Sequence, residues 1–289
     1  MTYSAYAKLN LTLDILGKRE DGYHNIESVM QTISLCDCLT VDFHPGNGRQ
    51  NEIKISSSNP TLPTDGNNLC FRACELFCDT FAISGASVEI RIEKNIPVGA
   101  GLGGGSSDCA ETLKALNDLS GINASSETLE KIGGKLGADV PFFIKGGCRK
   151  AEGTGTELSG DYSFGDFSVA LAKPVKPLMT GEIYREFDEI AANGKDVFPK
   201  PSTAKFLSGK NRWKYVSNML APVSERKNAE IAAIKREFLS LGALAAEMTG
   251  SGPTVFAVFA DETEAKKALA ELKNRIPAGF CGVFKPVKI

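Results

Sequence analysis

Between a strand-like alternation and a helical pattern lies Pro97-Val-Gly-Ala-Gly-Leu-Gly-Gly-Gly-Ser-Ser107, the segment of this chain best suited to hold a ligand. Glycines let a backbone approach a ligand closely and take positive φ angles. A helix beginning near Ser107 turns its unpaired N–H groups and the positive end of its dipole back toward the segment. Together these describe a pocket for phosphate. Ser106 and Ser107 can donate hydrogen bonds to such a group or help to cap the helix. A flexible surface connection is the alternative, but it has no need to sit tightly between a well-patterned strand and helix.

Two familiar phosphate loops fit less well. Gly99-x-Gly101-x-x-Gly104 matches the dinucleotide fingerprint, a weak signal alone. That fingerprint opens the first βαβ unit of its domain, whereas this loop follows strands that read as antiparallel. Its acidic ribose ligand is expected about 20 residues later, where the chain has Ile122-Asn-Ala-Ser125. The Walker pattern also fails, because no Gly-Lys-Ser/Thr follows the glycines. A lysine for the phosphates must come from elsewhere in the chain.

Composition narrows the classes. The 289 residues carry 42% hydrophobic side chains, enough for a buried core, and a net charge of −2. No broad cationic field is available for a nucleic-acid backbone, so no nucleic-acid partner is expected. Residues 1–8 lack the basic and apolar regions of a signal peptide, and no apolar run approaches the roughly 18 residues of a membrane span. A cytoplasmic protein without a membrane partner is expected, as a monomer or weak homodimer. Cys70, Cys74 and Cys78 recur on one helix face. Three thiolates there could hold a metal, but the C-x-x-C pairs of zinc sites are missing. Cysteine also serves as a small buried hydrophobe, and that reading is preferred, with no metal site expected.

The elements that position the loop follow from periodicity. Leu9, Leu11, Leu13 and Ile15 alternate with polar residues as a half-buried strand, broken by Asp21-Gly22. Ile33/Leu35, Leu39/Val41/Phe43 and Ile53/Ile55 predict separate strands. Asn67 or Asn68 caps a helix to about Phe81, and Val88, Ile90 and Ile92 form the strand before the loop. The loop's own helix runs from about Ser107 to Leu119, stopped by Gly121. Another follows Ser126, with Leu129, Ile132 and Leu136 on one face and Gly137 ending it. The polar, glycine-bearing stretch 159–166 is the candidate linker, dividing the chain into 1–160 and 161–289. Beyond it come a strand at 167–172, helices, strands near 245–248 and at 255–259, a helix capped by Asp261, and a strand at 281–287. That β-α-β-β-α-β order belongs to a ferredoxin-like sandwich, with extra helices inserted between Thr180 and Leu241.

The motifs then become recognisable. Pro97-x-x-x-Gly101-Leu-Gly-Gly-Gly-Ser-Ser107 resembles the ATP loop of the GHMP kinases, a family that includes galactose, homoserine and mevalonate kinases. Ala7-Lys-Leu-Asn10, Gly22-Tyr-His24, Gly137-Ala-Asp-Val-Pro-Phe-Phe143 and Met248-Thr-Gly-Ser-Gly252 extend the resemblance over nearly the whole chain. Asp108-Cys109 departs from the family, where small or amide residues are commoner, and Thr249 stands where serine is usual. The resemblance implies an α+β, two-domain GHMP kinase fold. Its N-terminal domain is like ribosomal protein S5 domain 2 and its C-terminal domain is ferredoxin-like.

It also implies residue roles. Asp139 is expected as the base that takes the hydroxyl proton, with Lys8 stabilising the developing alkoxide, chemistry that a carboxylate and an ammonium suit. ATP is expected on Lys94, Pro97, Val98, Gly99, Ala100, Gly101, Leu102, Gly103, Gly104, Gly105, Ser106 and Ser107. Magnesium (Mg2+) enters as ATP's usual companion, with no dedicated cage of ligands in the sequence. Asn10, Tyr23, His24 and Tyr184 are expected to bind a small-molecule alcohol bearing a cytidine diphosphate handle, the base stacking on the aromatics. A family member acting on a mevalonate- or homoserine-type alcohol is the alternative. A non-catalytic nucleotide or RNA binder is the reading from another class; the near-neutral charge speaks against RNA, and Lys8 and Asp139 would then have no purpose.

Overall fold

The structure is a computed structural model that describes residues 1–194 and 197–288. In chain order come β1 (Thr2–Lys18), β2 (His24–His44), β3 (Glu52–Ser57), α1 (Leu69–Thr80), β4 (Ser87–Glu93), α2 (Gly104–Ser120), α3 (Ser126–Gly134) and α4 (Val140–Lys145). There follow β5 (Cys148–Glu152), β6 (Glu157–Ser159), β7 (Ser168–Lys173), α5 (Thr180–Ala192), α6 (Thr203–Ser208) and β8 (Ser217–Asn218). The last are α7 (Ala221–Lys227), α8 (Ala229–Ser240), β9 (Ala245–Met248), β10 (Val255–Phe259), α9 (Glu262–Arg275) and β11 (Phe280–Phe284).

These elements gather into two compact units, neither a single stretch of chain. The first takes Met1–Ala7, Leu35–Val98 and Gly103–Gly146. The second takes Lys8–Ser34, Gly99–Leu102 and the described residues from Gly147 on. The stretch 159–166 lies inside the second unit and is tied down by aromatics. Tyr162 and Phe164 stack at 6.0 Å, and the Arg212 guanidinium lies 4.4 Å over the Phe164 ring.

In the first unit β2 pairs antiparallel with β4, while β3 pairs parallel with β4. The strands before the loop are therefore not all antiparallel, as their alternation suggested. Alternation marks which face is buried and is silent on direction, and the 12-residue helix α1 supplies the crossover a parallel pair requires. Asn68 caps α1, its side chain accepting from the Cys70 N–H at 2.8 Å. Cys70, Ala73, Cys74, Phe77 and Cys78 form the buried face of α1, and Cys109, Leu113 and Leu116 are buried on α2. The cysteines are free, and burial pushes the Cys70 thiol well up and that of Cys109 to about 12. They serve as small apolar side chains, the preferred reading.

Helix boundaries moved where glycine stood in the pattern. α2 starts at Gly104, three residues before the expected Ser107, because left-handed Gly103 (φ +74°) already makes the cap. α3 ends at Gly134 and leaves Leu136 in a turn. The short helix α4 was not read from the sequence, although Pro141 in its first turn suits a helix start.

In the second unit β11, β7, β10 and β9 form a four-stranded sheet in that order, with every neighbour antiparallel. Numbered along the chain from β7, the order is fourth, first, third, second, with α5 to α8 before β9 and α9 before β11. This is the ferredoxin-like arrangement, here with the extra helices expected after Thr180. Asp261 caps α9, accepting from the Glu264 N–H at 2.9 Å. Ile183, Phe187, Ile231, Ile234, Phe238, Leu269 and Leu272 on the helices pack with Ala170, Val255, Ala257 and Phe259 on the sheet.

β1 and β2 depart from their expected form. β2 is one 21-residue strand where separate strands were expected, since Cys36-Asp-Cys38 contains no breaker. β1 is not half-solvated: Lys8, Asn10, Thr12 and Asp14 are as buried as Leu9, Leu11 and Leu13. Each buried polar group on that face has a partner, as burial demands. Asp14 accepts from the N–H groups of Ser202 and Thr203 at 2.9 and 2.8 Å and so caps α6, while Thr12 bonds the Thr203 hydroxyl at 2.8 Å.

Candidate active site

The glycine-rich segment has a defined backbone. Gly99, Gly101 and Gly103 all take left-handed φ, of +62°, +76° and +74°, whereas Ala100 and Leu102 between them do not. Left-handed residues alternating with right-handed ones turn successive N–H groups to one side as an anion-binding concavity, and the left-handed glycines at every second position suit that form. Ala100 and Leu102 are buried and anchor the segment. Three of its carbonyls are spent on the protein. Leu102 accepts from the Lys8 N–H at 3.0 Å, Gly101 from the Thr249 hydroxyl at 3.3 Å, and Gly103 from the Ser107 N–H at 2.9 Å. The first-turn N–H groups of α2 have no partner within the helix. Donors without acceptors beside them are what a phosphate needs.

Gly101 is required by space as well as by φ. A Cβ there would overlap the Thr249 carbonyl oxygen, and one at Gly250 would come within 3.0 Å of the Gly101 oxygen. The turn 249–252 and the loop segment 99–102 therefore nest backbone to backbone. Asn10 joins them: its N–H donates to the Thr249 hydroxyl at 3.0 Å, and its side chain accepts from Lys8 Nζ at 2.6 Å and donates to Ser28 at 2.8 Å. Lys8 is only 4% exposed.

On the first unit, Ser107 donates its hydroxyl to the Tyr6 carbonyl at 2.6 Å, a structural bond. Ser106 sits half-buried, its hydroxyl 3.7 Å from where a Cβ on Gly137 would lie. The loop's serine and the turn that carries Asp139 are thus neighbours within that unit. Asp139 precedes α4 at the cap position, yet its side chain makes no capping hydrogen bond.

Lys94 has a different setting from that of an open cation. Its side chain is 3% exposed, and the ammonium pairs with Asp37 and, at 2.7 Å, with Asp108. Gly104 lies over it, with a Cβ position 3.0 Å from Nζ. Asp37 is fully used, its second oxygen accepting from the Asn95 and Ile96 N–H groups at 2.6 and 2.8 Å. Asp108 is not, since its Oδ1 is buried without a partner. Burial raises the Asp108 carboxyl to about 7, against the pull of Lys94 and with the help of the Asp37 charge. Burial lowers Lys94, but the two carboxylates outweigh it and hold its ammonium above the ordinary value.

A stability prediction follows. Between the ordinary Asp value of about 4 and its own value of about 7, Asp108 holds a proton in the folded chain that the unfolded chain has released. Stability therefore falls as pH rises through that window. Asp108→Asn keeps an acceptor for Lys94 and leaves a one-to-one pair with Asp37. Its advantage in Tm over wild type should grow by about 5 °C between pH 5 and pH 8. Melting curves with an equal difference at both pH values would reject this account of the triad.

The remaining expected residues lie in the second unit. His24 Nε2 bonds Asp188 Oδ1 at 2.6 Å, and the His24 and Tyr184 rings approach to 4.9 Å between centroids. Tyr23, before β2, is 63% exposed. Sequence reasoning missed Asp37 and Asp188. An acid on the apolar row 33, 35, 37, 39, 41, 43 could have pointed to the first, and Tyr184-x-x-x-Asp188, one helix turn apart, to the second.

Comparison with known proteins gives the chain its relatives. The family model described as the GHMP kinases N terminal domain matches residues 68–147, and that of the GHMP kinases C terminal matches residues 206–278. A relative from Clostridium beijerinckii, named 4-diphosphocytidyl-2-C-methyl-D-erythritol kinase, is 41% identical over 95% of this chain and 96% of its own. One of the same name from Clostridium tetani is 40% identical over the same shares. A crystal structure of 4-(cytidine 5'-diphospho)-2C-methyl-D-erythritol kinase superposes with a TM-score of 0.75 at 28% identity, covering 99% of both chains. A homoserine kinase from Cytophaga hutchinsonii gives 0.75 at 16% identity, covering 99% of this chain and 94% of its own, a likeness of fold alone.

Proposed function

This chain belongs to the GHMP kinase family, and from that membership we propose that it transfers the γ-phosphate of ATP to the 2-hydroxyl of 4-diphosphocytidyl-2-C-methyl-D-erythritol, in non-mevalonate isoprenoid precursor synthesis. The observation that carries this reading is identity of about 40% over 95% of the chain to relatives named for that kinase. Mevalonate- and homoserine-type alcohols are the weaker reading, since homoserine and mevalonate kinases share the fold at 16% identity.

Roles are proposed residue by residue. Asp139 takes the proton of the attacking hydroxyl, and Lys8 stabilises the oxygen's developing charge. The burial of Lys8 supports its role, because an ammonium out of water exerts a stronger field. The segment 97–107 receives the phosphates on its N–H groups. Lys94 supports that segment from beneath Gly104. Magnesium arrives with ATP as part of the substrate; among the described residues no group of three His, Cys, Asp or Glu is suited to hold a metal. Asn10, Tyr23, His24 and Tyr184 take the alcohol, with the base on the rings. A division near residue 160 is proposed between the two family-model ranges, 68–147 and 206–278. No helix among the described residues is long and apolar enough to cross a membrane, and the cytoplasm is the compartment proposed.

ADP release tests the reading. With ATP and magnesium, the cytidine diphosphate alcohol should turn over, and mevalonate and homoserine should not. The same alcohol without its nucleotide should lose at least about 100-fold in kcat/KM, because remote binding energy positions the hydroxyl. Equal turnover of the truncated alcohol would remove the cytidine handle from the function.

A further inference from the structure

We infer that Asp188 fixes the tautomer of His24, placing the ring proton on Nε2 and leaving Nδ1 as an acceptor that selects a pyrimidine with an exocyclic amine. The inference rests on the cytidine-bearing substrate proposed above and names how this chain distinguishes that base from uracil.

The geometry is that of a held ring. Tyr184, Phe187 and Asp188 lie at i, i+3 and i+4 of α5 and so share one helix face. Tyr184 packs against the His24 ring at 4.9 Å, Phe187 meets it edge-on at 6.3 Å, and Asp188 Oδ1 lies 2.6 Å from Nε2. Lys18 donates to the other carboxylate oxygen at 2.7 Å. Burial pushes the Asp188 carboxyl up, but the hydrogen bonds from Lys18 and His24 outweigh it and hold Asp188 below the usual range. It is therefore ionised near neutral pH. An ionised carboxylate only accepts, so Nε2 must carry the hydrogen, and Nδ1 of the neutral ring keeps its lone pair. Among the described residues nothing bonds Nδ1, nor is it one of the sealed atoms without a partner.

The base chemistry follows. Cytosine offers an amine where uracil offers a carbonyl oxygen. An imidazole lone pair accepts from the amine and repels the oxygen. Asp188 is thus a positioning residue that acts through His24, and removing it frees the ring to exchange tautomers and donate to uracil.

The chain has only two histidines, so His44→Gln leaves His24 as the sole imidazole. At pH 8, two-bond proton–nitrogen NMR of that variant should give the Nε2-protonated pattern. The opposite tautomer would overturn the inference outright. In parallel, kcat/KM is compared for the cytidine and uridine diphosphate forms of the alcohol. Asp188→Ala should lower the preference for cytidine roughly tenfold. Asp188→Asn keeps an acceptor oxygen and should retain most of the preference. Undiminished preference in Asp188→Ala would sink the tautomer lock while leaving the substrate reading intact. No turnover of the cytidine form by wild type would instead remove the substrate reading itself. If Asp188→Ala does not fold, the NMR pattern and the Asn variant still decide.

Discussion

Asp139→Asn is expected to lower kcat by roughly 10²–10⁴-fold, the range for loss of a general base, with ATP affinity little changed. The substitution separates two roles that the position invites. As a turn residue between Gly137 and Pro141, Asp139 needs only a compact polar side chain, and asparagine serves a turn equally well. As a base it needs a carboxylate that takes a proton, which an amide does not. Asp139 stands at the cap position of α4, where its side chain makes no capping bond. Steady-state rates with calorimetry of ATP binding check the outcome. A variant with more than half of wild-type kcat would return Asp139 to the turn.

Gly101→Ala should raise the Kd for ATP by at least about 100-fold, whereas Gly99→Ala should change it by about tenfold or less. Both glycines take left-handed φ, so both substitutions carry a backbone cost of about 1–2 kcal/mol. Space separates them. A Cβ on Gly99 meets nothing within 4 Å, while one on Gly101 overlaps the Thr249 carbonyl. The loop in Gly101→Ala must move off the 249–252 turn, and its N–H groups move with it. Preorganised donors lose most of their worth when displaced by an ångström. Titration calorimetry on both variants, with melting curves to confirm folding, gives the comparison. Equal affinities for the two folded variants would mean that nesting on Thr249 does not shape the phosphate site.

What the sequence made legible was local. The strands at 245–248 and 255–259, the caps Asn68 and Asp261 and the glycine segment are each set by a few consecutive residues, and the structure has them where expected. Relations across long separations stayed hidden. His24 and Asp188 stand 164 residues apart, and Lys94 and Asp37 stand 57 apart. No periodicity links such pairs. The direction of β3 against β4 was hidden for a related reason, because a strand's pattern records only what its faces touch. β1 gave the most instructive difference. Its polar residues read as a solvated face, since alternation cannot tell water from a buried polar network.

That strand also bears on how such a protein changes over time. From Leu9 to Ile15 the odd positions are leucines and an isoleucine in the core, and the even positions are Asn10, Thr12 and Asp14, which continue the polar row begun by Lys8. The pleat keeps the two rows apart. A mutation on one row alters the apolar core, and a mutation on the other alters the buried polar network, which also holds α6 in place. The two rows therefore carry separate constraints: the odd row must stay apolar for the core, and the even row must keep a bonded partner for each buried polar group, as Thr12 and Asp14 do with the start of α6.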